Sequence, residues 1–221
     1  MRKAIWVTAI GDYAPEMCKI TFPSIQAYAK KIGADFHHIS EPKFHGFPPN
    51  YERFQIWEGG KDYDWNLNVD ADFLIHPDCE DPTTYLDPRV VGALMGFRVD
   101  TVFRWNKYFE RDNRNQGVAD NFTLTSSLTH EFWEPATVGF EELSECCLPH
   151  QKRRVSEYQV SLNMAKYGLK FGGVIADRTK IYHINKTTDS IEKPEEVASR
   201  VLSSWGRGEV VSEHGGAHVF P

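Results

Sequence analysis

Two carboxylates stand one residue apart in this sequence, Asp70 and Asp72, within the mainly apolar segment 65–75. In a regular strand residues i and i+2 share a face, so both side chains can point to one spot. Paired carboxylate oxygens suit Mg²⁺ or Mn²⁺, which would in turn bridge the oxygens of a diphosphate. Two unpartnered aspartates beside apolar residues would be costly without a cation or hydrogen-bond donors. We therefore favour a metal site over the alternative, a strand-end pair satisfied by backbone N–H groups.

The elements before this pair predict a parallel α/β sheet. Residues 4–10 form a short apolar run that predicts a strand, and residues 34–39 alternate as a second strand. Between them, residues 14–32 have the spacing of an amphipathic helix, with Pro23 as a break or restart. Strand–helix–strand order is typical of parallel sheets, which bind ligands at the carboxyl ends of their strands. The aspartate pair falls at such an end.

The rest of the chain fits a single α/β domain over 1–221, because no linker separates two cores. The pattern predicts further helices over 51–59, 157–167 and 191–205, and further strands over 65–69, 90–99, 169–176 and 180–184. Residues 104–120 are charged and poorly periodic, which indicates a surface loop or an irregular helix. We expect residues 191–221 to form a terminal helix and tail.

Composition excludes several classes of protein. The formal net charge of −6 argues against broad nucleic-acid binding, which needs many cationic side chains facing phosphates. No apolar run approaches the ~20 residues that span a bilayer, and the start of the chain lacks the features of a signal peptide. We therefore expect a cytoplasmic protein without a transmembrane segment. The four cysteines contain no C-x-x-C pair, so a zinc knuckle or a redox motif is not expected.

Four segments together resemble the GT-A glycosyltransferases, and in pattern the retaining enzymes of family 8, which include glycogenin and bacterial galactosyltransferases. These segments are Thr8–Ala14, Tyr51–Trp57, Val69–Asp72 and Tyr182–Lys186. The compact size is also similar to the N-terminal glycosyltransferase domain of chlorella-virus capsid-glycosylating proteins. The resemblance implies a Rossmann-like GT-A domain, with a mainly parallel central sheet flanked by helices. Within this domain it implies that residues 1–100 bind the nucleotide and that residues 101–190 contact the sugar and the acceptor. It also implies an enzyme that moves a sugar from a nucleotide-sugar donor, a UDP-sugar such as UDP-glucose, to a hydroxyl of a glycan or protein acceptor.

The resemblance also assigns roles to single residues. It implies that Asp70, Asp72 and His183 ligate Mn²⁺ or Mg²⁺, although a lone histidine is often a satisfied core residue. The other positions that it places around the nucleotide and its phosphates are Thr8, Ala9, Asp12, Tyr13, Arg53, Ala71 and Lys186. Each of three of these positions has an alternative interpretation. Tyr13 also fits a cap of the first helix, and Arg53 and Lys186 also fit ordinary solvated positions.

The segment Ser156–Asn163 resembles the family's Asp-Gln-x-x-Leu-Asn stretch, in which the glutamine lies near the anomeric carbon. Gln159 aligns with that glutamine, but Tyr158 stands at the aspartate position and the nearest acid is Glu157. A carboxylate near the acceptor could act as general base in an inverting displacement. The family resemblance implies a retaining enzyme, which would instead need a front-face route or a covalent intermediate. Glu157 fits a second role equally well. It could be an acidic residue in the first turn of a helix, with Ser156 as the N-cap.

Two further features of the middle and late segments have open interpretations. Asp120 could hydrogen-bond the hydroxyls of a donor sugar, or it could form an Asx turn. The basic run 152–154 is typical of a solvated surface.

Two other functions compete with glycosyl transfer. A nucleotidyltransferase of similar α/β build also uses aspartates and Mg²⁺, but its first strand is usually followed by a glycine-rich basic loop, whereas residues 11–15 here read Gly-Asp-Tyr-Ala-Pro. A non-catalytic domain that binds nucleotide sugars would keep the same residues and lack turnover of the donor.

Overall fold

A computed structural model describes residues 1–11, 15–94, 96–98, 116–177, 180–184 and 193–208. The strands of these ranges are β1 (Lys3–Thr8), β2 (Ala34–Ile39), β3 (Trp65–Asp70), β4 (Phe73–Ile75), β5 (Val90–Ala93), β6 (Gly96–Arg98), β7 (Gln116–Val118), β8 (Phe122–Ser126), β9 (Lys170–Val174) and β10 (Ile181–His183). Their α-helices are α1 (Pro15–Ile32), α2 (Ile56–Gly59), α3 (Phe140–Ser144), α4 (Val155–Tyr167) and α5 (Pro194–Gly206).

Six strands form the central sheet in the order β2-β1-β3-β8-β5-β9. β1 pairs in parallel with both β2 and β3, and β5 pairs in parallel with β9. β8 runs antiparallel to its two neighbours, β3 and β5. The sheet is therefore mainly parallel, as the sequence predicts. Its register places Thr8, the last residue of β1, opposite Asp70, the last residue of β3.

Apolar residues cover both faces of this sheet. Along β1, Ala4 and Trp6 join a cluster on one face, whereas Ile5 and Val7 join a second cluster on the other face. This alternation follows from the two-residue period of a strand. A strand buried on both faces reads as a continuous apolar run, which is why β1 could be recognised in the sequence.

Helix α1 covers the face that carries Ile5 and Val7. It packs through buried residues that include Ile25, Tyr28 and Ala29, and it ends at Gly33, whose φ of 68° lies in the left-handed region that glycine adopts without strain. The expected break at Pro23 is wrong, because the helix continues through this residue. Pro23 is exposed, so solvent can satisfy the carbonyl that loses its intrahelical hydrogen bond there.

The other face is covered by short helical segments and by α4. The helix predicted over 51–59 is a 3₁₀-helix, Pro49–Gln55, that continues into α2 and closes at Gly60. A further 3₁₀-helix, Ser127–Trp133, follows β8 and packs against α4. Helix α4 ends at Gly168 as predicted, with φ of 66°.

A small second sheet lies beside the end of β3. Strand β4 pairs antiparallel with β10, and His183 lies opposite Phe73 in the register. Helix α5 closes this region through a third apolar cluster, which includes Leu74, Tyr182 and Trp205. In the described part of the chain, no helix combines the length and apolar character needed to cross a bilayer.

Candidate functional site

A cleft opens where β1 and β3 end. It encloses about 80 Å³ and is lined by Thr8, Ala9, Ile10, Pro49, Asn50, Arg53, Asp70 and Ala71. Five of these residues, those other than Ile10, Pro49 and Asn50, are positions that the sequence analysis assigns to nucleotide binding. The parallel register of β1 and β3 brings their carboxyl ends together, which explains why residues 60 positions apart line one cleft.

Arg53 is the centre of a network of charged side chains at the cleft, which we call the charge network and which includes Asp70 and Asp120. Its guanidinium is 4% exposed, and it contacts Asp70 through Nη2 (2.9 Å) and Asp120 through Nη1 (2.6 Å). Its Nε donates a hydrogen bond to the Asn50 carbonyl oxygen (2.7 Å). Two of the guanidinium nitrogens therefore lie in ion pairs and the third donates a hydrogen bond, although the contact of Nη1 with Asp120 lacks the geometry of a hydrogen bond. The sequence interpretation of Arg53 as a solvated position is wrong, because the short helix Pro49–Gln55 buries its side chain, which reaches Asp70 at the end of β3.

The network changes the acidity of its members. Burial raises the pKa of Asp70 above its usual range, and the carboxylates of Asp72 and Asp120 add to this effect, while the Arg53 guanidinium opposes it. Burial alone would lower the pKa of Arg53, but Asp120 and Asp70 outweigh burial and raise it. Arg53 therefore stays charged, and the acidic side chains around it carry more negative charge than it neutralises.

Asp72 takes a different direction from Asp70. β3 ends at Asp70, and Ala71 and Asp72 form a turn, so the two aspartates are not related as i and i+2 of a regular strand. The Asp72 side chain contacts Nε2 of His183 at 3.2 Å, and the Asp72 carbonyl oxygen accepts a hydrogen bond from the backbone of Ile184 (2.8 Å). The His183 ring stacks on Phe73 with centroids 4.5 Å apart.

Thr21 of α1 holds this turn in place. It is fully buried, and its hydroxyl lies 2.6 Å from the carbonyl oxygen of Ala71, between the two aspartates. The sequence analysis missed Thr21, because only the tertiary packing of α1 brings it to residues 50 positions away. Asn68 was also missed, although its place two residues before Asp70 on the same strand predicts a shared face.

Several polar atoms near the cleft have no hydrogen-bond partner among the described residues although they are buried. They are Oγ1 of Thr8, Oδ1 of Asn68, Oδ1 of Asp72, Oδ2 of Asp120 and Oδ1 of Asn121. Four of these residues are neighbours. Asn68 Nδ2 donates a hydrogen bond to the Asp120 carbonyl (2.6 Å), and Asp70 N donates one to the Asn121 carbonyl (2.8 Å). Thr8 lies opposite Asp70 in the register of β1 and β3. A buried oxygen without a donor costs about 1–3 kcal/mol, so this concentration at one end of the sheet needs a physical reason.

The donors in this region fit a divalent cation. Among the described residues of the network, the carboxylates of Asp70, Asp72, Asp120 and Glu157 face two guanidinium groups, those of Arg53 and Arg154. These acidic groups outnumber the guanidinium groups by two, and Asp72 Oδ1 is a buried carboxylate oxygen without a hydrogen-bond partner among the described residues. Carboxylate and imidazole together suit Mn²⁺. The described residues do not form a ready group of three His, Cys, Asp or Glu ligands, however, because the turn at Ala71 separates Asp72 from Asp70.

Glu157 belongs to this network through α4. Arg154 contacts it with two nitrogens, Nη2 to Oε1 (2.9 Å) and Nε to Oε2 (2.5 Å). Burial raises the pKa of Glu157 to about 7, with a further rise from Asp120 and an opposing effect from Arg154. The prediction of Ser156 as helix cap is wrong, because α4 begins at Val155 as a continuation of the 3₁₀-helix Pro149–Arg154. Arg154 is likewise an ion-pair partner rather than a solvated charge.

Gln159 lies away from the charge network. It lines a different cavity, between α4 and the segment 134–138, and its Nε2 donates to Oδ1 of Asn163 (2.8 Å). Residues two apart on a helix point about 200° apart, so Glu157 and Gln159 face opposite sides of α4. Three other predicted positions, Asp12, Tyr13 and Lys186, lie outside the described residues.

Comparison with known proteins supports the fold. The sequence matches no protein-family model and no curated protein sequence. The galactosyltransferase LgtC in complex with donor and acceptor sugar analogs is similar in structure, with a TM-score of 0.51 and 15% identity over 96% of this chain and 98% of that chain. The chain has a GT-A fold.

Two other solved structures are similar to this GT-A domain. An active-site mutant of LgtC matches with a TM-score of 0.50 and 15% identity, over 96% of this chain and 98% of that chain. A glycosyltransferase involved in the glycosylation of the major capsid of PBCV-1 matches with a TM-score of 0.49 and 12% identity, over 90% of this chain and 99% of that chain. The two LgtC matches confirm the fold expected from the sequence.

Proposed function

We propose that this protein is a metal-dependent glycosyltransferase that takes a sugar from a nucleoside-diphosphate donor, a UDP-sugar such as UDP-glucose, and transfers it to a hydroxyl acceptor. The observation that carries this proposal is the set of unpartnered buried oxygens and surplus negative charge at the carboxyl end of β1 and β3. In an α/β sheet this edge is the ligand-binding edge. A bound cation and a polar donor would satisfy groups that the protein itself leaves unsatisfied.

Asp70, Asp72 and His183 would hold the cation, Mn²⁺ or Mg²⁺, after a rotation of the two aspartate side chains toward each other, since the turn at Ala71 separates them. The metal would neutralise the charge that builds on the departing nucleoside diphosphate. The protein orients the carboxylates, and a bound cation would favour the ionised form of Asp70, whose pKa burial raises. Arg53 forms ion pairs with Asp70 and Asp120, so we propose that it orients both carboxylates, while its Nη1, which makes no hydrogen bond among the described residues, would also face a donor phosphate.

The remaining cleft residues would contact the donor. Thr8 Oγ1 is an unpartnered hydroxyl at the mouth of the cleft and suits a ribose or base oxygen. The backbone of Ala9 is already engaged, because its N donates to the Ile39 carbonyl (3.0 Å) and its O contacts Nε2 of His38 (3.0 Å). We therefore propose that Ala9 contacts the nucleoside through its side chain alone.

Asp120 and Glu157 would face the transferred sugar. Asp120 Oδ2 is a buried acceptor that a sugar hydroxyl can satisfy, while Oδ1 stays on Arg53. Glu157 keeps a proton more readily than an exposed glutamate, since burial raises its pKa to about 7. A carboxyl group that titrates near neutrality can exchange a proton with an acceptor hydroxyl. A retaining outcome stays the expectation that the family resemblance gives.

The test is a binding and turnover panel on the purified protein. Isothermal titration with UDP, UDP-glucose and UDP-galactose, each with and without Mn²⁺, should show affinity that depends on the metal. Release of UDP from one of the donors should follow, slowly with water and faster with an acceptor. Metal-dependent binding without any release of UDP would favour a non-catalytic binding domain, and preference for a nucleoside triphosphate over UDP-sugars would favour a nucleotidyltransferase.

A further inference from the structure

The turn that follows β3 is anchored at three consecutive residues by three different elements. Asp70 N donates a hydrogen bond to the Asn121 carbonyl (2.8 Å), just before β8, and the Asp72 carbonyl accepts one from Ile184 N (2.8 Å), just after β10. The middle residue of the turn is held by α1, through the side chain of Thr21. Of these three anchors, the one from Thr21 can be removed by a substitution that leaves the backbone intact.

The Thr21 hydroxyl is committed to this turn. It lies 2.6 Å from the carbonyl oxygen of Ala71 and 3.1 Å from that of Met17, one helical turn earlier in α1. A hydroxyl carries a single proton, so the shorter contact marks the Ala71 carbonyl as its acceptor. Because Thr21 and Ala71 are both buried, solvent does not compete for this hydrogen bond.

Loss of this bond would free the peptide between the two aspartates. A buried carbonyl without a donor is costly, so the Ala71 carbonyl would turn toward water in the cleft, which Ala71 lines. Since the peptide unit is planar, this rotation changes ψ of Ala71 and φ of Asp72, the two angles that set how the chain leaves the turn. The turn would then no longer fix the direction of the Asp72 side chain, which contacts Nε2 of His183 at 3.2 Å.

A second hydroxyl of α1 provides a matched control. Ser24 follows Thr21 by three residues, and its oxygen accepts a hydrogen bond from Ile75 N (3.2 Å) at the end of β4, while it donates one to the Thr21 carbonyl (3.0 Å). Both hydroxyls therefore join α1 to the chain that follows β3, but Ser24 bonds beyond the turn. A merely structural role of Thr21 predicts that loss of either hydroxyl has the same consequences.

From these contacts we infer that Thr21 is a positioning residue for the cation, because its hydroxyl holds the Ala71 carbonyl so that rotation of the Asp70 and Asp72 side chains alone brings both carboxylates onto one ion. This inference rests on the proposed function for the presence of a cation at the turn. Residues that orient metal ligands from behind set the affinity of a site, and their loss commonly weakens metal binding about 10–100-fold. Binding of the metal can be tested independently of sugar transfer.

The experiment measures the affinity of the full chain for Mn²⁺ by electron paramagnetic resonance, which detects the free ion, with and without saturating UDP. Thr21→Val removes the hydroxyl and keeps the shape of the side chain. Thr21→Ala removes it without placing a methyl group against the Ala71 carbonyl, and Thr21→Ser restores it. Ser24→Ala removes the control hydroxyl. Urea denaturation reports the stability of each variant, so that every affinity is measured on folded protein.

We expect Thr21→Val and Thr21→Ala to bind Mn²⁺ about tenfold or more weakly than the unaltered protein does. Thr21→Ser and Ser24→Ala should keep the affinity of the unaltered protein, even though Ser24→Ala also loses stability. Full Mn²⁺ affinity in both variants that lack the Thr21 hydroxyl, an equal loss in Ser24→Ala, or no binding of Mn²⁺ by the unaltered protein would overturn the inference. Failure of the proposed function is a different result, namely Thr21-dependent binding of Mn²⁺ without any binding of UDP or release of UDP from a donor.

Discussion

Asn66 and Asn68 lie two residues apart on β3, share one face of the sheet and are both fully buried, yet their surroundings differ. Asn66 accepts a hydrogen bond from Trp6 Nε1 (2.9 Å) and donates one to the Gly60 carbonyl (3.0 Å). A side chain at Gly60 would collide with this amide, since an added Cβ would lie 2.7 Å from its oxygen. Asn68 donates to the Asp120 carbonyl, but its oxygen has no partner among the described residues.

The same contrast holds for charges at the two ends of the sheet. At the amino end, Lys3 pairs with Asp81 (2.5 Å) and also donates to the Ile32 carbonyl (3.0 Å). At the carboxyl end, Arg53 is shared by two carboxylates, and Asp120 and Asp72 each keep an unpartnered oxygen. Buried polar groups without hydrogen-bond partners are expected at functional sites. The amino end therefore stabilises the fold, and we propose that the carboxyl end gives up some stability for ligand binding.

The largest effect is expected from Arg53→Met. Removal of the guanidinium leaves Asp70 and Asp120 in the interior without their cation, and breaking such a buried pair costs about 3–5 kcal/mol. Urea denaturation should show this loss in the free energy of unfolding, together with loss of UDP binding. Arg89→Met removes an exposed arginine that pairs with Asp87 and should change stability by less than about 1 kcal/mol. Equal effects of the two variants would show that the Arg53 network does not hold the cleft together.

Alanine substitution of the two asparagines tests the contrast on β3 directly. Asn66→Ala leaves the Trp6 N–H without a partner and removes one of two donors to the Gly60 carbonyl, so it should lower the free energy of unfolding by about 2 kcal/mol. Asn68→Ala should cost only about 1 kcal/mol, because one of its two groups is already unsatisfied. Both values come from urea denaturation. A reversed order would contradict the distinction between the two ends of the sheet.

The pH dependence of stability should reveal the buried Glu157. Its pKa is 4.5 in an exposed setting and about 7 in the folded protein, so the folded state keeps a proton that the unfolded chain loses. The resulting stabilisation is complete below about pH 4.5 and is lost as pH rises through 7, with a slope of at most about 1.4 kcal/mol per pH unit. Glu157→Gln should show a smaller decline, because only the contribution of Asp70, whose pKa burial also raises, remains. Parallel curves of unfolding free energy against pH for the two proteins would disprove the burial of an ionisable group at this position.

The smallest effect is expected from Lys3→Met at the amino end. The ion pair with Asp81 is partly buried, and its loss should lower stability by about 1 kcal/mol. Affinity for UDP in the presence of Mn²⁺ should stay unchanged, because Lys3 lies at the opposite end of β1 from Thr8. Weakened UDP binding in this variant would mean that the two ends of the sheet are not functionally separate.

Much of the fold could be predicted from the sequence because its signals are local. The strands β1, β2 and β3 are apolar or alternating runs, and the glycines at 33 and 168 mark helix ends through their positive φ. The expected break at Pro23 was wrong, since the packing of α1 on the sheet overrides one lost hydrogen bond. The pattern of 51–59 gave a helix but could not distinguish a 3₁₀-helix from an α-helix.

The candidate site was predictable only in part. Residues that follow strands, such as Thr8 and Asp70, could be placed together, because parallel strands end at one edge. The bridge from Arg53 to Asp120 joins positions 67 apart and depends on a tertiary arrangement that no local pattern encodes. The separation of Gln159 from Glu157 could have been derived from helical spacing, but the side of α4 that faces the cleft could not.

Asp72→Asn offers the most direct test of the account. The substitution removes one charge while it keeps the shape of a side chain whose Oδ1 has no partner among the described residues. Isothermal titration of UDP in the presence of Mn²⁺ should show an affinity at least about tenfold weaker than that of the unaltered protein, without loss of folding stability. Asp64→Asn, at the other end of β3, is the matched control and should bind UDP normally. Unchanged affinity for UDP in the Asp72→Asn variant would contradict the proposal that a cation held at the carboxyl end of β3 anchors the donor.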